Sequence, residues 1–383
     1  PYSITSVPDD AFKGCTSLTT ITLPTTVTSI GAHPFYQSGV KNIYVDVDNA
    51  IFTSRNGVLM TKESNQLVCY PNGRTGNITL SGMVERINSN AIYKIADTKA
   101  IYLDAPDYNS YTELAENGIT SANGELMTIY VKDATNELSD GEDAETGESK
   151  GVLLEQYKEA DCWSAYKEAG KLKRYFELEV SANSLDSEGN YWATMYIGFD
   201  TQLPDGLTAY YVDKTKTDEN EDYLILREMS NKVPMLTPVV IKAAVAGNYK
   251  LYPSETTKWA ALDMSLNLLN GTGRDGMDVN QADANDGGCL TLGKNKSGKI
   301  GFFIYKGTKP IPPYRAYLTV NKVGDSRLLS YGDEATSIDV QSMINGGWST
   351  EHDGWYTLDG RRLAVKPTTK GVYIHHGVKH VVK

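Results

Sequence analysis

The chain has 383 residues, 40% hydrophobic and 22% charged, long enough for two or three domains with ordinary apolar cores. Its 48 acidic against 37 basic residues give a formal net charge of −11. That sign argues against nucleic acid as a partner, because a phosphate-binding face needs clustered cations, and the densest basic run is only KLKR at 171–174. No apolar run reaches the ~20 residues of a membrane-spanning helix. Four distant cysteines (Cys15, Cys69, Cys162, Cys289) form no CxxC pair, which predicts four buried thiols rather than a zinc site or disulfides.

In chain order, the first legible element is AFKGCTSLTTITLP at 11–24, whose threonine-rich end alternates like a strand with one buried face. The pattern recurs. Phe12 and Phe35 lie 23 residues apart, and Ile21 and Ile43 lie 22 apart. The short strand returns as NITL (77–80), AIYL (100–103) and TIYV (128–131). One strand per period in the low twenties is the signature of a leucine-rich-repeat solenoid, in which each coil buries its apolar face against the next. A small apolar Cys15 is expected inside such a coil.

The motif IxxVPxxAFxGCxSLxxIxLPxxVxxIGxxxF, as it stands at 4–35, resembles the BspA-type leucine-rich repeats of bacterial surface proteins. Residues 52–80 look like the hairpin-bearing insert common in such arrays, and the Phe-Gly-Cys signature fades after about residue 90. The chain opens mid-pattern at Pro1, so any signal peptide is expected to have been removed and is not readable in it.

After the last repeat strand, 133–149 holds seven acidic residues and no basic one, which predicts a solvated loop rather than a calcium site. Residues 152–175 then place Leu153, Leu154, Tyr157, Ala160, Trp163, Tyr166 and Leu172 near helical spacing. An amphipathic segment here is expected to cap the open solenoid end. From 176 onward, short strands separated by turn residues predict an antiparallel, jelly-roll-like sandwich. YWATMYIGFDTQLPDGLTAYYV also resembles a sandwich domain frequent in secreted proteins of gut Bacteroidetes. The tail, with LDGRRL, KGVYI and a final VVK, resembles the C-terminal sorting segment of Bacteroidetes proteins.

The expected fold is therefore mainly β: a leucine-rich-repeat solenoid followed by an antiparallel β-sandwich. The expected domains are a solenoid with acidic insert and helical cap (1–176), a sandwich (177–342) and a sorting-like hairpin (343–383).

Catalytic chemistry is not legible. The five histidines are His33, His352, His375, His376 and His380, and the adjacent pair would point to opposite faces of a strand. GRDGMDVNQADANDGGC (273–289) opens like a calcium loop, but Asp283 stands where glycine is needed and Cys289 where glutamate is needed. No nucleophile elbow, phosphate loop or dinucleotide fingerprint occurs. Neither a cofactor nor enzymatic activity is expected.

The repeat strands offer a surface instead. If Ile21/Leu23, Ile43/Val45, Ile78/Leu80, Ile101/Leu103 and Ile129/Val131 point inward, the residues between them point outward. Those are Thr22, Tyr44, Thr79, Tyr102 and Tyr130. Tyrosine supplies rigid amphipathic contact area, although strand propensity alone selects the same residues. Tyr191, Trp192 and Tyr210 are sugar-stacking or core positions of the sandwich.

The resemblance implies a non-enzymatic, exported bacterial protein at the cell surface or outside the cell. It would adhere to host or extracellular-matrix protein through the exposed solenoid face. The alternative is a glycan-binding accessory protein with its ligand site in the sandwich.

Overall fold

The threonine-rich segments form short strands that pair in parallel, one coil upon the next. The computed structural model describes residues 4–81, 84–104, 111, 113–134, 152–218, 221–254, 266–273, 276–277, 288–306 and 309–319; strands at 326–330, 355–357, 362–363, 371–375 and 378–382 are described by their backbone alone. The acidic run at 135–149 and the calcium-like stretch at 278–287 lie outside the described residues. The chain is mainly β with leucine-rich repeats at its N-terminal end.

The five repeat strands are β1 (Thr20–Leu23), β2 (Asn42–Val45), β3 (Ile78–Ser81), β4 (Ala100–Asp104) and β5 (Thr128–Lys132). Period-2 alternation buries Leu23, Ile43, Ile78, Leu80, Ile101, Leu103, Ile129 and Val131, while Ile21 and Val45 are half-buried. Side chains also stitch neighbouring coils. Asn49, fully buried, donates to the Pro24 and Val27 carbonyls at 2.9 Å each and accepts from the Ile51 and Phe52 N–H groups at 2.9 and 2.8 Å. Gly39 lies so close to the previous coil that a Cβ would collide with the Thr16 carbonyl.

The stack is not continuous. The insert folds as the antiparallel strands Phe52–Arg55, Val58–Thr61 and Gln66–Cys69, and its Gly57 carbonyl takes the Ile43 N–H at 2.9 Å. β1 and β2 therefore form a two-stranded sheet, separate from the five-stranded sheet that carries β3, β4 and β5.

The segment expected to be helical through 175 contains α1 (Val152–Glu159), a 3₁₀ turn at Asp161–Trp163 and α2 (Ser164–Glu168). It stops there because Gly170 takes the left-handed conformation, φ 62°, and the chain turns into a strand. Leu153, Leu154, Tyr157, Trp163 and Tyr166 join the core of the last coils. The Trp163 indole donates to the Tyr111 carbonyl at 3.0 Å, and the Tyr111 hydroxyl donates to the Leu80 carbonyl at 2.7 Å.

The next strand, β6 (Leu172–Val180), runs through the 176/177 boundary expected from the sequence. Its first half pairs in parallel with β5, Ile129 opposite Leu172 and Lys132 opposite Tyr175. Its second half pairs antiparallel with a later strand, Phe176 opposite Leu251 and Val180 opposite Gly247.

The longer strands that follow, up to residue 330, are β7 (Tyr191–Met195), β8 (Leu207–Asp218), β9 (Glu221–Glu228), β10 (Val239–Ala243), β11 (Gly247–Leu251), β12 (Cys289–Lys294), β13 (Ile300–Ile304), β14 (Ala316–Thr319) and β15 (Ser326–Ser330). All except β11 form a nine-stranded sheet in the order β7-β10-β8-β9-β15-β13-β12-β14, completed by Asn270–Gly271. The sheet is not purely antiparallel, because β9 and β15 pair in parallel, an arrangement that the long connection between them permits. β12 was hidden from sequence reading by the polar run that precedes it.

Strands β7, β8 and β10 are buried on both faces. Met195, Ala209 and Ile241 meet Leu178 and Leu251 of β6 and β11. Trp192, Tyr210 and Val240 meet Leu290, Phe302 and Leu318 across a second core. Trp192 and Tyr210 are thus core residues, 1% and 4% exposed, and not sugar platforms; Tyr191 is half-buried.

The tail holds four strands rather than one hairpin, ordered 362–363, 355–357, 371–375 and 378–382. The four cysteines are thiols rather than disulfides: Cys69 and Cys289 are buried and Cys162 is half-buried, but Cys15 is exposed. Its turn, with Gly14 at φ 74°, swings the thiol out of the coil, contrary to the expectation of an interior residue.

Candidate functional site

Backbone register places the five ladder residues on one another. Thr22 lies opposite Tyr44, Thr79 opposite Tyr102, and Tyr102 opposite Tyr130. The inserted hairpin separates the first two rungs from the last three, and the two parts have different surroundings.

Thr22 and Tyr44 face solvent, Tyr44 at 47% exposure. Just after β2, Val47 is 83% exposed and Ile51 is 39% exposed. Three large apolar side chains thus stand in solvent within one eight-residue stretch beside Thr22. Sequence reading missed Val47 and Ile51, although VDVDNAIF carries the signal of apolar residues out of step with the coil.

The last three rungs form a joint. Thr79 is exposed and accepts a hydrogen bond from Lys250 Nζ at 3.4 Å, but Tyr102 is only 6% exposed and Tyr130 half-buried. The expected exposure fails at Tyr102 because β6 and β11 extend the repeat sheet and bring their own side chains onto its outer face. Tyr102 and Tyr130 stack with centroids 5.0 Å apart, and Tyr175 meets Tyr102 edge-on at 5.1 Å. Tyr252 packs on Tyr130 at 5.2 Å, and its hydroxyl lies 2.9 Å from that of Tyr102. Lys250 Nζ stands 3.5 Å from the Tyr102 ring centroid.

Around this aromatic cluster, Lys132 pairs with Asp104 at 2.7 Å and with Glu177 at 3.6 Å. Burial pushes the Tyr175 and Tyr252 hydroxyls up from their ordinary pKa, and the Tyr102 hydroxyl bond adds to the shift of Tyr252. Burial lowers the Lys250 ammonium, opposed by Glu177 and Asp104. Nothing in GNYKLY marks Tyr252 as the partner of Tyr102, 150 residues earlier.

A second cluster lines the turns of the early coils. The His33 and Tyr93 rings lie 4.1 Å apart, Tyr36 meets Tyr93 edge-on at 5.1 Å, and Lys13 and Lys94 stand over the Tyr36 ring at 5.5 and 5.9 Å. The Lys13 ammonium, hydrogen-bonded to Asp10, holds that carboxyl below its usual value.

Residues 1–104 match the family model described as the BspA type leucine rich repeat region, in six copies. This repeat region extends past residue 90, where the Phe-Gly-Cys signature is lost but the strand period persists. Two solved structures resemble part of the chain. One is the pneumococcal vaccine antigen PcpA, 18% identical over 35% of this chain and 44% of that one, TM-score 0.23. The other is a leucine-rich repeat protein from Eubacterium ventriosum, 20% identical over 33% and 39%, TM-score 0.25. The chain spans less than half the length of either. No curated protein matches it.

Among the described residues, no three His, Cys, Asp or Glu side chains converge as metal ligands, and no helix is long and apolar enough to cross a membrane.

Proposed function

We propose that the chain is a non-enzymatic binding protein, exported to the bacterial cell surface, in which a leucine-rich-repeat solenoid carries the contact face and a β-sandwich supports it. The partner is a host or matrix protein. The contact surface is the first part of the ladder, Thr22 and Tyr44, continued by Val47 and Ile51. The observation that carries this reading is the exposure of Tyr44, Val47 and Ile51 within one eight-residue stretch: grouped exposed apolar residues mark protein contact surfaces, and tyrosine is enriched among residues that dominate binding energy. Tyr102 and Tyr130 act in the joint rather than at the partner.

The test is surface plasmon resonance of the full chain against a panel of matrix proteins. Replacing Tyr44, Val47 and Ile51 by serine is expected to weaken binding at least ~10-fold, as the loss of a contact hot spot does. Tyr130→Phe is expected to leave it unchanged. Equal binding by the triple variant, with unaltered circular dichroism, would overturn the assignment.

A further inference from the structure

The nine-stranded sheet has two edges, β7 at one end and Asn270–Gly271 beside β14 at the other, and they approach each other. The Tyr196 N–H donates to the Tyr314 carbonyl at 3.0 Å, and Arg315 Nη1 donates to the Thr194 carbonyl at 3.3 Å. Beyond these bonds the seam opens into a cleft of 500 Å³, within the size range of small-molecule sites.

Arg315 lines this cleft and is half-buried. Among the described residues its guanidinium makes no ion pair, and the bond to Thr194 is its one side-chain hydrogen bond. A guanidinium carries five donors in a fork that matches a carboxylate, so most of its donor capacity is unused. Burial depresses its pKa, with Glu179 opposing. Glu179 is exposed at the same cleft and disfavours a doubly charged anion such as phosphate. The other walls carry Asn183 and Thr291, groups that both donate and accept, the half-buried Leu292 and Tyr305, and Lys294, whose ammonium donates to the Leu185 carbonyl at 2.7 Å.

We propose that this cleft binds a carboxylate-bearing sugar, its carboxylate on Arg315 and its hydroxyls on Asn183, Thr291 and Glu179. Arg315 and Lys294 against Glu179 leave one net positive charge, which suits one negative charge; amide and hydroxyl side chains suit ring hydroxyls, and Leu292 and Tyr305 suit a sugar's C–H face. The site is independent of the repeat face, so the chain would hold a protein with one region and an acidic glycan with the other.

Saturation-transfer NMR and calorimetry on the full chain test this with glucuronate and galacturonate against glucose, galactose and an acetylated glutamyl dipeptide amide. The uronates are expected to bind at least ~10-fold more tightly than the neutral sugars, as a charge-assisted bidentate bond implies. Arg315→Gln is expected to remove that preference, and Arg315→Lys to keep part of it. Asn183→Ala, in an exposed turn, is expected to weaken the uronates several-fold with the fold intact. The triple serine variant of the repeat face is expected to retain uronate binding, which separates failure here from failure of the protein-binding reading. Equal affinity for neutral sugars, preference for the dipeptide, no uronate binding at all, or uronate binding that ignores both Arg315→Gln and Asn183→Ala would each overturn the proposal.

Discussion

The contact between Lys250 and Tyr102 links β11 to the repeat sheet, and a double-mutant cycle measures it. Lys250→Met keeps the aliphatic stem and removes the ammonium; Tyr102→Leu keeps apolar volume and removes the ring. A cation over an aromatic face contributes about 0.5–1 kcal/mol in solvent and about 2 kcal/mol when desolvated. Here the ring is 6% exposed, the ammonium stands 3.5 Å from its centroid, and Lys250 itself is half-buried. The coupling should therefore fall between those limits, at about 1–2 kcal/mol. Tyr102→Leu also loses its stacking on Tyr130 and its hydroxyl contact with Tyr252, but these losses cancel in the cycle because they occur with and without Lys250. Urea unfolding of the four proteins at pH 7, followed by circular dichroism, gives the number. A coupling below about 0.3 kcal/mol, the size of ordinary non-additivity, would show that the ammonium over the Tyr102 ring is a coincidence of packing and does not hold β11 to the repeat sheet.

Asn49→Ala removes five side-chain hydrogen bonds at a fully buried position, the weakest to the Thr25 carbonyl at 3.5 Å. With unsatisfied buried groups at about 1–3 kcal/mol each and only partly additive, a loss of about 3–5 kcal/mol is expected. Hydrogen exchange should show the amides of 20–70 opening first, and a change under 1 kcal/mol would contradict the stitching role. Thiol labelling at pH 8 should find Cys15 reactive and Cys69 protected until the chain unfolds. Burial pushes the Cys69 thiol up to about 12 from 9.0. The folded chain therefore keeps a proton that the unfolded chain loses above pH 9, so its contribution to stability should decline from pH 9 toward pH 12. Replacement by serine should change this alkaline slope, and an unchanged slope would place the cause elsewhere.

The repeat period was legible because each coil satisfies a local rule. Ile101 and Leu103 must point inward if the strand is to be buried at all, so alternation assigned their faces and, by difference, the outward positions of Thr22, Tyr44, Thr79, Tyr102 and Tyr130. Strand positions such as 207–212 and 239–243 were legible for a different reason, as short runs of strand-forming residues between turn signals. The strand at 289–294 was not, because a short strand flanked by polar residues carries no periodic signal of its own. Cys15 defied expectation because its environment depends on the path of one turn rather than on its apolar character.

What the sequence by itself determined is the alternation: strand, turn and inward apolar residue at a fixed period, each enforced by neighbours a few positions away. Tertiary structure alone decided which outward residues remain outward. Tyr44 and Tyr102 occupy the same place in their coils, yet the first meets water and the second meets Lys250 and Tyr252. Likewise, only the approach of two sheet edges made in different parts of the chain leaves Arg315 facing a cleft. The reason is physical: facing along a strand is fixed by the pleat, whereas coverage is fixed by segments more than a hundred residues away, whose arrival leaves no mark on the local pattern.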